Sequence, residues 1–324
     1  MPQAPPSFGS RSYWERRFTE NPNPFEWLES PTILDAYIIA ALRDCEEKSP
    51  ELLHIGCGTS LLSFHLRSHV EEPVQVHNVD YSTVAVRIGK EREVEIFDAE
   101  AKGESGEQKV SMHSLTEVEE ANSRGSGSSS NNDPKAWMRW STLDLLDLRS
   151  VVSNCTPSSY AIIIDKSTAD SISCAEDIAI EYPFPLFTPQ SAISTPPPPR
   201  LDEPLEPIHP LHILAIHVAF LTKPGGRWLS LSYSEDRFPF LRLPNQRSDY
   251  EDIELLPQEH VDQGLPDPGK LWRLERKEGV QINETTHEGT TYRPSIRHWA
   301  YVLVRTEVEL AARACWAESL GFKK

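Results

Sequence analysis

The chain has 324 residues, 38% of them hydrophobic with 8 Trp, 11 Phe and 9 Tyr, which is apolar material enough for a sizeable core in one large domain or two small ones. Acidic residues outnumber basic ones by 49 to 32, for a formal net charge of −17. That field repels phosphate backbones and argues against nucleic acid as a partner, while it attracts a basic protein segment. No apolar run reaches the roughly 18 residues of a membrane span, so no membrane partner is expected. The N-terminus has no apolar signal core and the five cysteines form no CxxC pair, so the chain is expected in the reducing cytosol, or the nucleus.

In chain order, residues 1–11 read as a disordered lead and 12–324 as a single domain. An aromatic and charged stretch at 12–28 precedes an apolar helical pattern at 32–42. A strand–turn–helix rhythm follows: strand 52–55, helix 60–68, strand 74–80 and helix 82–91. Residues 101–135, rich in Glu and Lys and then in Ser, Gly and Asn, cannot bury apolar area and are expected as a disordered insertion. Strands are expected at 137–143 and 160–165, the second an unbroken apolar run typical of a buried parallel strand. The proline-rich segment 182–210 reads as a loop or lid. Helix 212–221 is expected to stop at Lys223-Pro224-Gly225-Gly226, before strand 227–233. Segments 271–277 and 298–305 suit a final antiparallel pair. The sum is an α/β fold with a seven-stranded sheet, helices on both faces and an antiparallel closing pair.

The sharpest local signal is Leu53-His54-Ile55-Gly56-Cys57-Gly58-Thr59-Ser60, where a strand ends, Gly56 and Gly58 make a tight turn and a helix begins. Leu61 stands where a dinucleotide fingerprint would place its third glycine, so a ligand without a pyrophosphate, S-adenosylmethionine, fits better than NAD. Asp80 ends the second strand 24 residues after Gly56 and can accept hydrogen bonds from ribose hydroxyls. Asp144, with the Leu145 backbone, can reach an adenine edge, or can serve as a turn or cap residue. Asp165 ends the strongest strand and is open to the same two readings. In an open α/β sheet all four strand ends face one crevice. No metal site is expected: His209, His212 and His217 cluster without a cysteine or carboxylate at ligand spacing. Neither a G-x-S-x-G elbow nor a phosphate-binding P-loop is present. Residue chemistry alone reads Trp14, Phe18 and Trp27 as core packing.

The set Tyr13-Trp14-Glu15-Arg16-Arg17-Phe18, Phe25-Glu26-Trp27, HIGCGTS, NVDYSTVAV, Asp144-Leu145 and Ile164-Asp165-Lys166-Ser167-Thr168 resembles methyltransferase-like proteins. The nearest resemblance is to eukaryotic lysine methyltransferases acting on elongation factor 1-alpha. It covers residues 12–169 in order, with 223–234 similar to the family's fifth strand and the turn before it. The resemblance implies a Rossmann-like methyltransferase sheet, S-adenosylmethionine as cofactor, and a protein substrate such as a translation elongation factor. It also implies that Trp14, Phe18 and Trp27 fold over the cofactor, with Gly56 beneath its methionine part. Asp80 and Tyr81 would hold ribose and adenine, Asp144 and Leu145 the adenine edge, and Asp165 would stand at the methyl-transfer point as the catalytic candidate. Lys166-Ser167-Thr168-Ala169-Asp170 departs from the family's Lys-Gly-Thr-Leu-Asp, and the two insertions are unusual. A small-molecule methyltransferase and a non-catalytic cofactor-binding module are the alternatives on the same fold.

Overall fold

The computed structural model of the protein describes residues 6–101, 136–189, 205–241, 255–281 and 297–314. The insertion expected at 101–135 lies outside the described residues from 102 onward, as do residues 190–204 of the proline-rich segment. Helix α1 (Arg11–Glu20) leads through an irregular stretch and a 3-10 turn, Pro31–Leu34, into α2 (Asp35–Arg43). The series β1 (Glu51–Ile55), α3 (Leu62–Arg67), β2 (Val76–Asp80), α4 (Thr83–Ala101), β3 (Arg139–Thr142), α5 (Leu148–Asn154), β4 (Tyr160–Lys166) and α6 (Thr168–Ile172) follows. After a two-residue strand β5 (Leu186–Phe187) come α7 (Pro210–Leu221), β6 (Thr222–Ser232), β7 (Trp272–Gln281), β8 (Arg297–Arg305) and a second short strand, β9 (Ala311–Ala312), which pairs with β5.

Seven strands form one sheet in the order β3-β2-β1-β4-β6-β8-β7. The pairs from β3 to β6 are all parallel, and β8 inserts antiparallel between β6 and β7. This is the α/β architecture the pattern predicts. The chain lays β1, β2 and β3 outward in one direction, then crosses back to place β4 on the other side of β1. That reversal opens a crevice at the carboxyl ends of β1 and β4.

Side chains alternate across the strands, so each strand feeds two cores. Leu52, Ile162, Ile164, Leu229 and Leu231 pack with Ile38 and Ala41 of α2 and with Leu62 and Leu66 of α3. Leu53, Ile55, Ile163, Trp228 and Leu303 pack on the opposite face with α5 and α7. Every residue of α7 is buried, which explains its unbroken apolar run.

Three details differ from expectation. Residues 223–226 do not end α7; they belong to β6, with Gly225 at φ +77° where the pairing with β4 shifts register. The run of polar and glycine residues reads as a cap, yet it forms a bulged strand entry. The lead at 1–11 is only partly a lead: Phe8 packs on Tyr13 and Trp27, and Arg11 already begins α1, because Phe8 is an apolar ring beside an aromatic cluster that can bury it. Helices α5 and α6 are too short for a 3.6-residue period to reveal.

Candidate functional site

Where β1 ends, Gly56 and Gly58 adopt φ of +59° and +51°, the left-handed region that glycine enters without steric cost. A Cβ on Gly56 would lie 2.1 Å from Thr168 Oγ1, so this glycine serves the packing of α6 against the turn as much as any ligand. The Gly58 amide donates to Asp80 Oδ2 at 2.9 Å and the Ser82 amide donates to Oδ1 at 2.8 Å. Asp80 therefore locks the turns after β1 and β2 together. A carboxylate offers about four lone-pair directions, so two remain for a ligand. Burial, opposed by those two hydrogen bonds, raises the Asp80 carboxyl to about 6. Beneath the turn, His54 lies 3.0 Å from Ser63 Oγ, and burial holds its imidazole down to about 4, neutral at physiological pH.

The N-terminal arm forms the opposite wall. Trp14 and Phe18 stack with centroids 5.6 Å apart, and Trp27 meets Trp14 edge-on at 5.5 Å. Trp14 Nε1 donates to the Phe8 carbonyl at 2.7 Å. These rings form a small core with Ala85 and Ile88 of α4 and also line the cleft.

Two glutamates fasten this arm. Glu15 accepts from Ser82 Oγ at 3.0 Å and from the Thr83 amide at 2.9 Å, across the N-terminus of α4. Burial works to raise its carboxyl, but the hydrogen bonds outweigh burial and hold it below the ordinary value. Glu26 accepts from the Leu61 amide at 2.6 Å and from Ser60 Oγ at 2.8 Å, at the N-terminus of α3. Its Oε2 also lies 2.5 Å from Lys166 Nζ, which donates in addition to the carbonyls of Trp27 at 3.1 Å and Glu29 at 2.9 Å. Burial lowers the Lys166 ammonium, with Glu26 pulling the other way. Both glutamates sit inside the aromatic motifs, but nothing local in the sequence announces partners 68 and 35 residues distant.

One cleft, enclosing about 1170 Å³ of space open to solvent, gathers Trp14, Phe18, Trp27, Gly56, Gly58, Asp80, Tyr81, Asp144 and Leu145, together with Lys166 and Thr168. Asp144 also closes its own turn, its Oδ1 accepting from the Leu146 amide at 2.9 Å. Asp165 is the exception. It is fully buried and does not line the cleft. Its Oδ1 accepts from the Thr168 amide at 2.7 Å and its Oδ2 from Ser230 Oγ at 3.0 Å, so it caps α6 and ties β4 to β6. Burial, then the charge of Asp170, raises its carboxyl to about 7. The catalytic expectation for Asp165 is corrected on this ground: the strand turns that side chain into the sheet, and the next residue, Lys166, faces the cleft. His212 and His217 are buried in α7, His217 Nδ1 lying 2.8 Å from the Leu145 carbonyl, and His209 caps that helix.

No protein-family model matches the chain. A curated relative, methyltransferase srdJ of Neurospora crassa, is 29% identical over 175 residues, which span 54% of this chain and 58% of that protein. Among solved structures, the N-methyltransferase NodS from Bradyrhizobium japonicum with S-adenosyl-L-homocysteine is similar at TM-score 0.43 and 11% identity, covering 94% of this chain and all of that one. The magnesium protoporphyrin IX methyltransferase of Synechocystis is similar at TM-score 0.40 and 10% identity, covering 92% of this chain and 96% of that one. The sheet order is that of a Rossmann-like α/β fold with an antiparallel closing pair, and the part of the chain that matches the curated relative is similar to a methyltransferase.

Proposed function

We propose that the chain is an S-adenosylmethionine-dependent methyltransferase whose acceptor is a protein lysine. The observation that carries the cofactor is the filling of the α3 N-terminus by Glu26, a carboxylate seated where a dinucleotide would need to place its pyrophosphate. The cleft instead offers the Asp80 carboxylate, a tight glycine turn and an aromatic wall, which suits an adenine and a ribose joined to an amino-acid tail without a pyrophosphate. When bound, S-adenosylmethionine supplies an electrophilic methyl group. Asp80 accepts the ribose hydroxyls, Tyr81 and Leu145 border the adenine, and Trp14, Phe18 and Trp27 exclude water from the reacting end. In-line displacement needs chiefly this positioning. The lysine acceptor rests on the family resemblance and on the acidic balance of the chain, which favours a basic protein segment.

Calorimetry with S-adenosylmethionine, and with NAD as control, tests the cofactor. Saturable binding of the first alone is expected, and binding of NAD alone overturns the reading. Labelled cofactor incubated with cell lysate then tests the acceptor: label should enter protein and be recovered as methyl-lysine, whereas label confined to small metabolites overturns the lysine assignment.

A further inference from the structure

Away from the cleft, at the far end of α3, three potential ligand atoms converge. His65 lies in the last turn of that helix, and His69, four residues on, lies in the turn just past its end. Asp35, the first residue of α2, meets them from the other side. His65 Nε2 touches Asp35 Oδ1, His69 Nε2 lies 3.3 Å from His65 Nε2, and His69 Nε2 lies 3.6 Å from Asp35 Oδ1. The three atoms all fall within 4.8 Å of one another.

We propose that Asp35, His65 and His69 form a zinc site with two imidazole nitrogens, one carboxylate oxygen and a water as fourth ligand. The spacing supports it. Zinc–nitrogen bonds of about 2.0–2.1 Å set the edge of a tetrahedron at about 3.3–3.4 Å. Two of the three observed separations stand at or near that edge, and the third is a contact that an ion would widen. A helix dipole accounts for an acid at the start of α2 and for imidazoles at the end of α3, but it does not require their tips to meet at one point. A single proton can bridge two of the three acceptors; a dication serves all three. The donor set of nitrogen and oxygen without thiolate suits zinc and its transition-metal neighbours rather than magnesium or calcium.

Access is asymmetric. The His65 side chain is 6% exposed, His69 16% and Asp35 31%, so water and ion enter past the carboxylate. Sequence spacing hides the site because the carboxylate lies 30 residues before the first histidine. The bound ion would clip α2, which follows the arm that lines the cleft, to the end of α3. The role is structural and stands apart from methyl transfer.

The test is zinc titration of the full chain against a chromophoric chelator, with His69→Ala, His69→Gln and Asp35→Asn. One zinc per chain is expected, with affinity falling roughly tenfold or more in each variant, as loss of a ligand or its support does elsewhere. Zinc at about 100 times the wild-type Kd should raise the unfolding midpoint of the wild type by about 5 °C and that of His69→Ala by about half as much or less. Circular dichroism verifies that each variant is folded, and His69→Gln keeps a hydrogen-bonding side chain if alanine does not fold. Cobalt substituted for zinc should give four-coordinate visible bands without thiolate charge transfer, which separates this site from the exposed thiol of Cys174. Equal zinc affinity in wild type and His69→Gln, a thiolate signature, or no bound zinc at all overturns the proposal.

Discussion

At the scale of single residues, Asp80 carries two pH effects of opposite sign. Its carboxyl is raised to about 6, so the proton it holds favours the folded state and that contribution is lost as pH rises through about 6. Cofactor binding through ribose needs the carboxylate, so S-adenosylmethionine affinity should fall as pH drops below about 6. Calorimetry across pH 5 to 8, with unchanged affinity at the acid end, would count against Asp80 as the ribose acceptor. Asp165 makes a contrasting case. Asp165→Asn keeps an acceptor for the Thr168 amide and should retain cofactor binding, whereas Asp165→Ala orphans that amide and should cost about 1–3 kcal/mol of stability by thermal melting. Total loss of transfer in a fully folded Asp165→Asn protein would restore the catalytic reading. The sequence marks both aspartates alike, each at a strand end before a turn. What separates them is the direction of one Cα–Cβ bond, which depends on register with neighbouring strands. Gly56, by contrast, is legible from the turn alone, although its collision partner Thr168 is not.

At the scale of elements, the arm around α1 is held by carboxylates at two helix N-termini. Glu15→Ala removes a cap from α4 and should lower stability by about 1 kcal/mol. Glu26→Ala does more, because it leaves Lys166, whose side chain is 3% exposed, without its counter-charge. With Glu26 itself one-quarter exposed, a loss of roughly 2–3 kcal/mol is expected in denaturant melts, below the range for a wholly buried pair. A loss under about 0.5 kcal/mol would show that the Trp27 and Glu29 carbonyls suffice for Lys166. The sequence shows why the aromatic residues matter, since rings seek burial anywhere. The glutamates between them look like ordinary surface charge until α3 and α4 supply amides to receive them. All seven strands of the sheet are visible in the sequence pattern: β4, buried on both faces, as an unbroken apolar run, and the half-exposed β7 by its place in a closing pair with β8. The bulged start of β6 escapes that logic, since Lys223, Pro224, Gly225 and Gly226 bulge between Thr222 and Arg227, which pair with β4.

At the scale of the whole molecule, sheet and arm contribute different halves of the cleft. Removal of residues 1–29 should leave the strand and helix signals of the sheet in circular dichroism and lower the melting temperature, while abolishing cofactor binding. Binding retained after such truncation would mean that the strand ends alone make the site. The same division bears on how the protein comes to be assembled. Glu26 finds Lys166 across 140 residues of chain, and Glu29 finds His298 across 269. The arm precedes both partners in the chain and is fully fastened only once β4 and β8 have been made. Until then the aromatic rings of the arm can pack only on α4, through Ala85 and Ile88, while Glu26 and Glu29 lack Lys166 and His298.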